Sequence, residues 1–356
     1  KRQGLTRYPA ISPDGKLVAY ASDRGGGGDL DIYVQQISQP QAVRLTNHKA
    51  DDIQPCFSPD GAQIVFRSER DGAGLYLIPT LGVGQEHRIA DHGWRPTFSP
   101  DGTAILYTEV SDPSSFTMSK MYLISSQGGV PQPFQPDFLV NAWAGTGPVP
   151  IWSPDGKFVL FQGVRATNPK SRDWWVAPAN GGPVVPTGAA RSLLKSEVIV
   201  YPMAWFRDRI VFGKGVTTEG FNLFWTTITP GTWQVKDIPE SLTAGTGLQV
   251  EPSFAIDGRM VLSGMKGAVN IWGVPLDPIQ GTPAGEPRQI TQDERMKIQP
   301  VISRDGSKLA YGSYGSMKAG HMEIRLRDMA AGGETAVATK SMNYLFAPQL
   351  SMDGSV

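Results

Sequence analysis

One tetrapeptide, Ser-Pro-Asp-Gly, recurs through the chain and limits the folds that the sequence can adopt. Identical copies occupy 12–15, 58–61, 99–102 and 153–156, and weaker copies occupy 255–258, 303–306 and 351–354. A proline precedes each serine position by three residues, and the series also fills the one gap: Pro9, Pro55, Pro96, Pro150, Pro202, Pro252, Pro300 and Pro348. Spacings of 41 to 54 residues indicate one structural repeat along the whole chain.

Each repeat carries four short β signals, which we name strands A to D. In the second repeat they lie at 54–58, 63–68, 75–78 and 86–90. The Pro-Asp-Gly sequence suits a tight A–B hairpin, because proline presets φ, aspartate bonds local amides and glycine accepts positive φ. We therefore predict structural turn residues, not catalytic carboxylates, at Asp14, Asp60, Asp101, Asp155, Asp257 and Asp305.

Four antiparallel strands in every repeat predict the blades of a β-propeller, an all-β fold. We expect a single propeller over residues 1–356, with seven complete blades that start near residues 5, 51, 92, 146, 198, 248 and 296. Residues 344–356 open an eighth repeat, so eight blades are the alternative. Aromatic residues of the C strands should pack between sheets, and Trp152, Trp205, Trp225 and Trp272 are predicted in the core.

The repeat resembles the TolB-type, WD-like propeller repeat. Ser-Pro-Asp-Gly, an alternating strand, a strand like 31–34 (DIYV) and an ending like 43–46 (VRLT) carry the resemblance over essentially the whole chain. The tracts 18–36 and 171–177 are most similar to propeller sensor regions of bacterial serine/threonine kinases and winged-helix regulators. Such repeats also occur in TolB itself and in prolyl-oligopeptidase-like peptidases, so the resemblance implies the fold more strongly than the function.

Composition narrows the class of partner. The chain has 33 Lys and Arg against 33 Asp and Glu, so its net charge is zero, and we expect no nucleic-acid partner. No stretch approaches 18 consecutive apolar residues, and we expect no direct membrane insertion. The single cysteine, Cys56, excludes an internal disulfide and is predicted to be a buried hydrophobe.

No motif for catalysis, a cofactor or a metal stands out. The nearest run to a Gly-x-Ser-x-Gly nucleophile motif, 312–316, has the wrong spacing, and the glycines at 25–28 lie between strands B and C with no helix behind them. His48, His87, His92 and His321 lack the spacing of a local ligand pair, and the carboxylate pairs 29/31 and 51/52 are predicted as solvated turns. We expect a non-enzyme without cofactor or metal.

Loop lengths indicate which face of the propeller binds. The A–B hairpins are uniform, whereas long insertions at 111–120, 135–147, 165–172 and 186–199 all fall in B–C or D–A connections, on the opposite, upper face. The residues before the repeated prolines should line the upper mouth of the central channel, with two tryptophans beside them. The predicted binding residues are Tyr8, Gln54, Trp94, Arg95, Trp143, Tyr201, Glu251 and Gln299, with Val149 and Ala347 at the same repeat position.

These observations predict a non-catalytic propeller that binds a protein, a peptide or a small polar ligand at its top face. We expect it to be the sensor or interaction domain of a longer bacterial signalling or envelope protein, located outside the cytoplasm, in the periplasm. The alternative is the gating propeller of a prolyl-oligopeptidase-like serine peptidase whose catalytic domain lies outside this chain. A sugar-acid lyase is a third reading, which requires a tightly bound divalent metal.

Overall fold

The computed structural model describes residues 5–110, 118–141, 149–193, 199–216, 220–236, 238–244, 247–265, 271–275, 277, 279–280, 282, 284–286, 288–292, 296–314 and 321–341. The chain divides into two compact units, Lys1–Gly215 with Phe221–Gly264, and Val216–Gly220 with Met265–Val356. Antiparallel strands form nearly all the regular structure in both units, and each unit is described by itself.

The first two repeats form complete four-stranded antiparallel sheets, each in simple chain order. The strands of the first repeat are β1 (Thr6–Ile11), β2 (Leu17–Ser22), β3 (Asp31–Gln36) and β4 (Ala42–Arg44). Those of the second are β5 (Asp52–Phe57), β6 (Gln63–Ser68), β7 (Gly74–Pro79) and β8 (His87–Ala90), with a 3-10 turn at Arg70–Gly72. Strand A of each repeat is followed by the turn and then strand B, as the motif predicts.

The third and fourth repeats share one sheet, because an extra strand joins them. The third repeat contributes β9 (Trp94–Phe98), β10 (Ala104–Val110), β11 (Met118–Ser125) and β12 (Gln132–Phe134), followed by β13 (Phe138–Asn141). The fourth contributes β14 (Ile151–Trp152), β15 (Phe158–Arg165), β16 (Asn168–Pro178) and β17 (Val185–Pro186), with the short helix α1 (Ala189–Ser192) after it. Strand β13 pairs with both β11 and β15.

The fifth and sixth repeats complete the first unit and lead into the second. The fifth comprises β18 (Ile199–Phe206), β19 (Arg209–Val216), β20 (Gly220–Thr227) and β21 (Glu240–Ser241). The sixth comprises β22 (Leu248–Phe254) and β23 (Met260–Met265), then β24 (Trp272–Gly273) and β25 (Arg288–Gln289). The seventh is a regular sheet of β26 (Met296–Ile302), β27 (Lys308–Tyr314), β28 (His321–Asp328) and β29 (Glu334–Ser341), in the second unit.

The Ser-Pro-Asp-Gly hairpins share one hydrogen-bond pattern. In the second repeat the Ser58 hydroxyl donates to Asp60 Oδ1 at 2.6 Å, and the backbone N–H of Ala62 donates to the same oxygen at 3.0 Å. Gly61 has φ of +72°, which favours glycine. The same serine-to-aspartate bond recurs at Asp14, Asp101, Asp155 and Asp305, whereas Asp257, which follows Ala255, pairs with Arg259.

These hairpins stack on one another from repeat to repeat. A side chain at Gly61 would meet the ring of Pro13, and one at Gly102 would meet Pro59. The hairpin of the sixth repeat contacts the hairpin of the first. The Ile256 N–H donates to the Pro13 carbonyl at 3.0 Å, and the Arg259 guanidinium donates to the Gly15 carbonyl.

The A strands of the first unit also return from the sixth repeat to the first. Strand β1 contacts β5 on one side and β22 on the other, and the Ile11 N–H donates to the Ser253 hydroxyl at 3.1 Å. The predicted all-β propeller of four-stranded antiparallel blades is confirmed. The predicted count of seven blades is not confirmed, because in the first unit the sixth A strand already lies beside the first. That the whole chain is one domain stays a prediction.

The core of the first unit lies between neighbouring sheets. One apolar cluster joins repeats one and two around Ile32 and Phe66, and further clusters join the following repeats in turn. The first three repeats stack aromatic rings across the same B–C register, in the pairs Tyr20–Tyr33, Phe66–Tyr76 and Tyr107–Tyr122. Of the four tryptophans predicted in the core, Trp152 and Trp205 pack against these clusters, and Trp225 is half-buried with its Nε1–H donating to the exposed Glu240 carboxylate. Trp272 is 56% exposed, so the prediction is wrong for that residue.

Two carboxylates predicted in solvated turns are buried. Asp31 is 1% exposed and pairs with Arg44 at 2.5 Å, and Asp52 is fully buried and pairs with Arg70 at 3.0 Å. Burial raises the pKa of Asp52. The prediction failed because each aspartate is the first residue of a strand, β3 or β5, and each pairs with an arginine of its own repeat, Arg44 in β4 and Arg70 in the turn between β6 and β7.

Parts of the insertions predicted on the upper face form regular secondary structure. Strand β13 occupies part of 135–147, and the 165–172 segment extends the β15–β16 hairpin, where Arg165 pairs with Asn168. Helix α1 lies within 186–199, and Asp173 accepts hydrogen bonds from the N–H groups of Gly188 and Ala190 at its start. Residues 111–117 and 142–148 lie outside the described residues.

Candidate functional site

The residues before four of the repeated prolines share an unusual backbone conformation. Tyr8, Gln54, Arg95 and Glu251 all have φ between 56° and 59°, the left-handed region that side chains rarely adopt. Proline supplies no N–H to the ladder, and the strand register shifts at each of the first three positions. Backbone strain of this kind costs on the order of 1–3 kcal/mol per residue, and it concentrates at functional sites.

Two of these side chains bond to the backbone of the next repeat. Gln54 Oε1 accepts the N–H of Arg95 at 2.8 Å, and Glu251 Oε2 accepts the N–H of Tyr8 at 3.1 Å. The first bond links repeat two to repeat three, and the second links repeat six to repeat one. The positions before the prolines thus hold adjacent innermost strands together.

Glu251 is the most heavily bonded of the four. Its carboxylate also accepts the Ser263 hydroxyl at 2.6 Å and lies 3.4 Å from an Arg95 nitrogen, and its side chain is only 6% exposed. The Arg95 guanidinium lies 5.4 Å from the centre of the Tyr8 ring. Burial raises the pKa of Tyr8, against the opposing effect of Arg7 and Arg95, so the phenol stays neutral at physiological pH.

These residues line a cavity of about 170 Å³ at the centre of the first unit. We call it the central cavity. Its wall is formed by Tyr8, Pro9, Ala10, Gln54, Pro55, Cys56, Arg95, Pro96, Thr97, Val149, Met203, Glu251, Pro252 and Ser253. Each of the six A strands of the first unit, or a residue beside it, contributes to this wall. Gln54 is 4% exposed, and its Nε2 has no hydrogen-bond partner among the described residues.

The remaining predicted binding residues lie elsewhere or outside the description. Trp94 packs under the Arg67 guanidinium, 3.5 Å from the ring centre, and contributes to the core between repeats one and two. Tyr201 packs on Phe221, and Met203 of the same strand lines the cavity instead. Gln299 lies in β26 of the second unit, and Trp143 and Ala347 lie outside the described residues.

The prediction omitted the residues that follow the prolines. Ala10, Cys56, Thr97 and Ser253 line the cavity together with the residues two positions before them. Residues two apart in a regular strand share a face, but the left-handed residue before each proline shifts the register on which that rule depends. Cys56 is half-buried, and burial raises the pKa of its thiol.

Neither a metal-binding cluster nor a membrane-spanning helix occurs in the described residues. No group of three or more His, Cys, Asp or Glu side chains there is arranged to hold a metal ion. None of the helices in the described ranges is both long enough and apolar enough to cross a membrane.

The fold and the cavity define the first unit as a β-propeller with a small central cavity. Residues 1–170 match the family described as the TolB beta propeller domain, PD40. No curated protein matches the chain. The similarity to kinase and winged-helix regulator propellers stays a prediction.

Several solved structures are similar in fold. TolB from Acinetobacter baumannii has 13% identity and a TM-score of 0.48 over 91% of this chain and 63% of that one. An acylaminoacyl peptidase from Pyrococcus horikoshii has 16% identity and a TM-score of 0.47 over 94% and 52%. An oligogalacturonate lyase from Vibrio parahaemolyticus has 15% identity and a TM-score of 0.48 over 87% and 88%. The chain thus spans less than two thirds of that TolB and about half of that peptidase.

Proposed function

We propose that this protein is a non-catalytic recognition module that binds part of a protein or peptide in the central cavity. The observation that carries the proposal is the Gln54 side chain, a buried amide whose N–H₂ group has no partner among the described residues. A buried donor without an acceptor costs about 1–3 kcal/mol. A ligand carbonyl or carboxylate oxygen would recover that cost.

The chemistry of the wall favours a hydrogen-bond acceptor. Glu251 already receives the Tyr8 N–H, the Ser263 hydroxyl and the Arg95 guanidinium, so its carboxylate is well satisfied. The Gln54 Nε2 donor, by contrast, has no partner among the described residues. The wall therefore offers a ligand this donor more readily than it offers the Glu251 carboxylate as an acceptor.

The size of the central cavity favours the tip of a larger ligand. Sites that enclose whole small molecules measure about 300–1,000 Å³, and this cavity measures about 170 Å³. One or two residues of a peptide fit such a volume.

We propose that this chain is a domain of a larger bacterial signalling or envelope protein located outside the cytoplasm. The match of residues 1–170 to the TolB propeller family supports this proposal.

The single cysteine allows a direct test. Cys56 lines the central cavity, so a bound ligand should slow its alkylation by N-ethylmaleimide. We would select binders from a random peptide library and measure alkylation with and without each peptide. Gln54→Glu keeps the acceptor for the Arg95 N–H but removes the free donor, and it should weaken binding by tenfold or more.

A matched variant separates ligand contact from loss of fold. Gln35→Glu makes the same change in β3, at a residue outside the cavity wall, and should leave affinity unchanged. If selected peptides bind Gln54→Glu as tightly as wild type and leave Cys56 alkylation unchanged, recognition does not use the central cavity.

A further inference from the structure

A second, larger cavity lies between the sheets of repeats two and three. It measures about 470 Å³, within the range of small-molecule sites. Its wall combines the end of β8 and the residues after it with Tyr107 and Glu109 of β10. Asp91 and His92 at its edge are exposed, so the cavity is open to solvent. It shares no lining residue with the central cavity.

The Tyr107 hydroxyl is the unusual group in this cavity. Tyr107 is fully buried, and no described residue meets its oxygen with the distance and angles of a well-formed hydrogen bond, although the Glu109 carboxylate lies close enough to raise its pKa. Its ring stacks on Tyr122, with the ring centres 5.7 Å apart. A phenol that is held rigidly and whose oxygen still lacks a well-formed hydrogen bond is an arrangement that a ligand can complete.

The charges of the wall leave one carboxylate uncompensated. The Arg88 guanidinium donates to the Ala73 and Asp91 carbonyls at 2.8 and 3.0 Å and pairs with the Asp91 carboxylate at 3.4 Å. Glu109 has no ion pair with any cation in the described part of the chain. Residues two apart on a strand share a face, so Glu109 lies beside Tyr107.

We propose that this cavity binds a small organic cation through a primary ammonium group. The ammonium would pair with the Glu109 carboxylate and donate a hydrogen bond to the Tyr107 hydroxyl. Its organic part would occupy the rest of the cavity, against Ile89 and Pro131. Burial and the nearby Glu109 both raise the pKa of Tyr107, so the hydroxyl stays protonated and is a neutral acceptor. This site goes beyond the recognition proposed for the central cavity.

Calorimetric titration with 1,5-diaminopentane tests the proposal, with 1,5-pentanediol as the uncharged control. We expect saturable binding of the diamine, with affinity at least tenfold greater than that of the diol. Tyr107→Phe removes only the hydroxyl and keeps the stacked ring, so it should weaken diamine binding without lowering the melting temperature. Glu109→Gln should weaken binding by tenfold or more.

An exposed carboxylate outside the cavity provides the matched control. Asp137→Asn makes the same change of charge in the third repeat and should leave diamine binding unchanged. Three results would each overturn the proposal: no saturable binding of the diamine, equal binding of the diol, or wild-type affinity in both Tyr107→Phe and Glu109→Gln. Selected peptides should bind Tyr107→Phe normally, so failure here leaves the function of the central cavity open to its own test.

Discussion

At the scale of single residues, Glu251 links the site to the stability of the fold. It receives hydrogen bonds from two other repeats, through the Tyr8 N–H and the Arg95 guanidinium, and one from Ser263. Arg95 is 16% exposed, so loss of Glu251 removes a carboxylate from beside a largely buried guanidinium. Arg95→Ala is therefore a poor probe of binding alone, because it also strips a bond from Glu251.

We expect Glu251→Ala to lower the free energy of unfolding by about 3 kcal/mol, because the variant removes the carboxylate beside a largely buried guanidinium and the acceptor of the Tyr8 N–H and the Ser263 hydroxyl. Urea denaturation followed by tryptophan fluorescence measures the loss. Glu240→Ala is the control, since its contacts with Arg209 and with the Trp225 Nε1–H are exposed and should contribute about 1 kcal/mol or less. Equal losses in the two variants would contradict this role for Glu251.

At the scale of the element, the A–B hairpins make stability depend on pH. The Ser12 hydroxyl and then the Lys16 N–H lower the pKa of Asp14 to about 2 from an ordinary value of 3.8. A carboxyl with a lowered pKa in the folded state stabilises the fold above its unfolded value, and that contribution is lost as pH falls from about 4 to about 2. Similar bonds lower the pKa of Asp305 to about 2.

Asp14→Asn keeps the acceptor oxygen but cannot titrate. The variant should be less stable than wild type at pH 6 and should approach it at pH 2, so its loss of stability over that range is smaller. Ser12→Ala removes the largest cause of the shift and should also flatten the curve. The free energy of unfolding measured at pH 6, 4 and 2 decides the point, and parallel curves for all three proteins would contradict it.

Local sequence predicts the strands and hairpins well, because proline, aspartate and glycine act on their own neighbours. The C-strand aromatics are a weaker guide, because Trp174 is fully buried whereas Trp272 is 56% exposed. The residues that line the central cavity were predicted only in part, because left-handed residues such as Gln54 shift the register from which side-chain direction is inferred. Buried pairs such as Asp31 with Arg44 form across strands and leave no local pattern.

At the scale of the whole molecule, the number of blades depends on contacts between distant repeats. The bond between the Ile11 N–H and the Ser253 hydroxyl spans 242 positions in the chain. Spacing along the sequence counts repeats, but it does not say which strand the first one meets. Seven repeats in the sequence therefore did not determine the neighbour of β1.

A cross-link tests the neighbour directly. In a Cys56→Ser background, Ile11→Cys with Ser253→Cys should join through a short bifunctional maleimide, because β1 and β22 are adjacent. Mass spectrometry of the digested protein identifies the linked peptides, and each single-cysteine variant serves as a control. Failure of the pair to link, with both thiols reactive, would contradict the adjacency of the two strands.

The positions before the prolines also determine the symmetry of the central cavity. The backbone repeats around it, yet the residues at the equivalent positions are Tyr8, Gln54, Arg95, Val149, Tyr201 and Glu251. A sixfold-symmetric ring would accept one ligand in six equivalent orientations, a degeneracy worth about 1 kcal/mol as RT ln 6. This cavity forgoes that degeneracy. Because a donor, a cation and an anion each occur at a single azimuth, a peptide bound as proposed would have one preferred orientation, and the rest of its chain would leave the propeller in one direction.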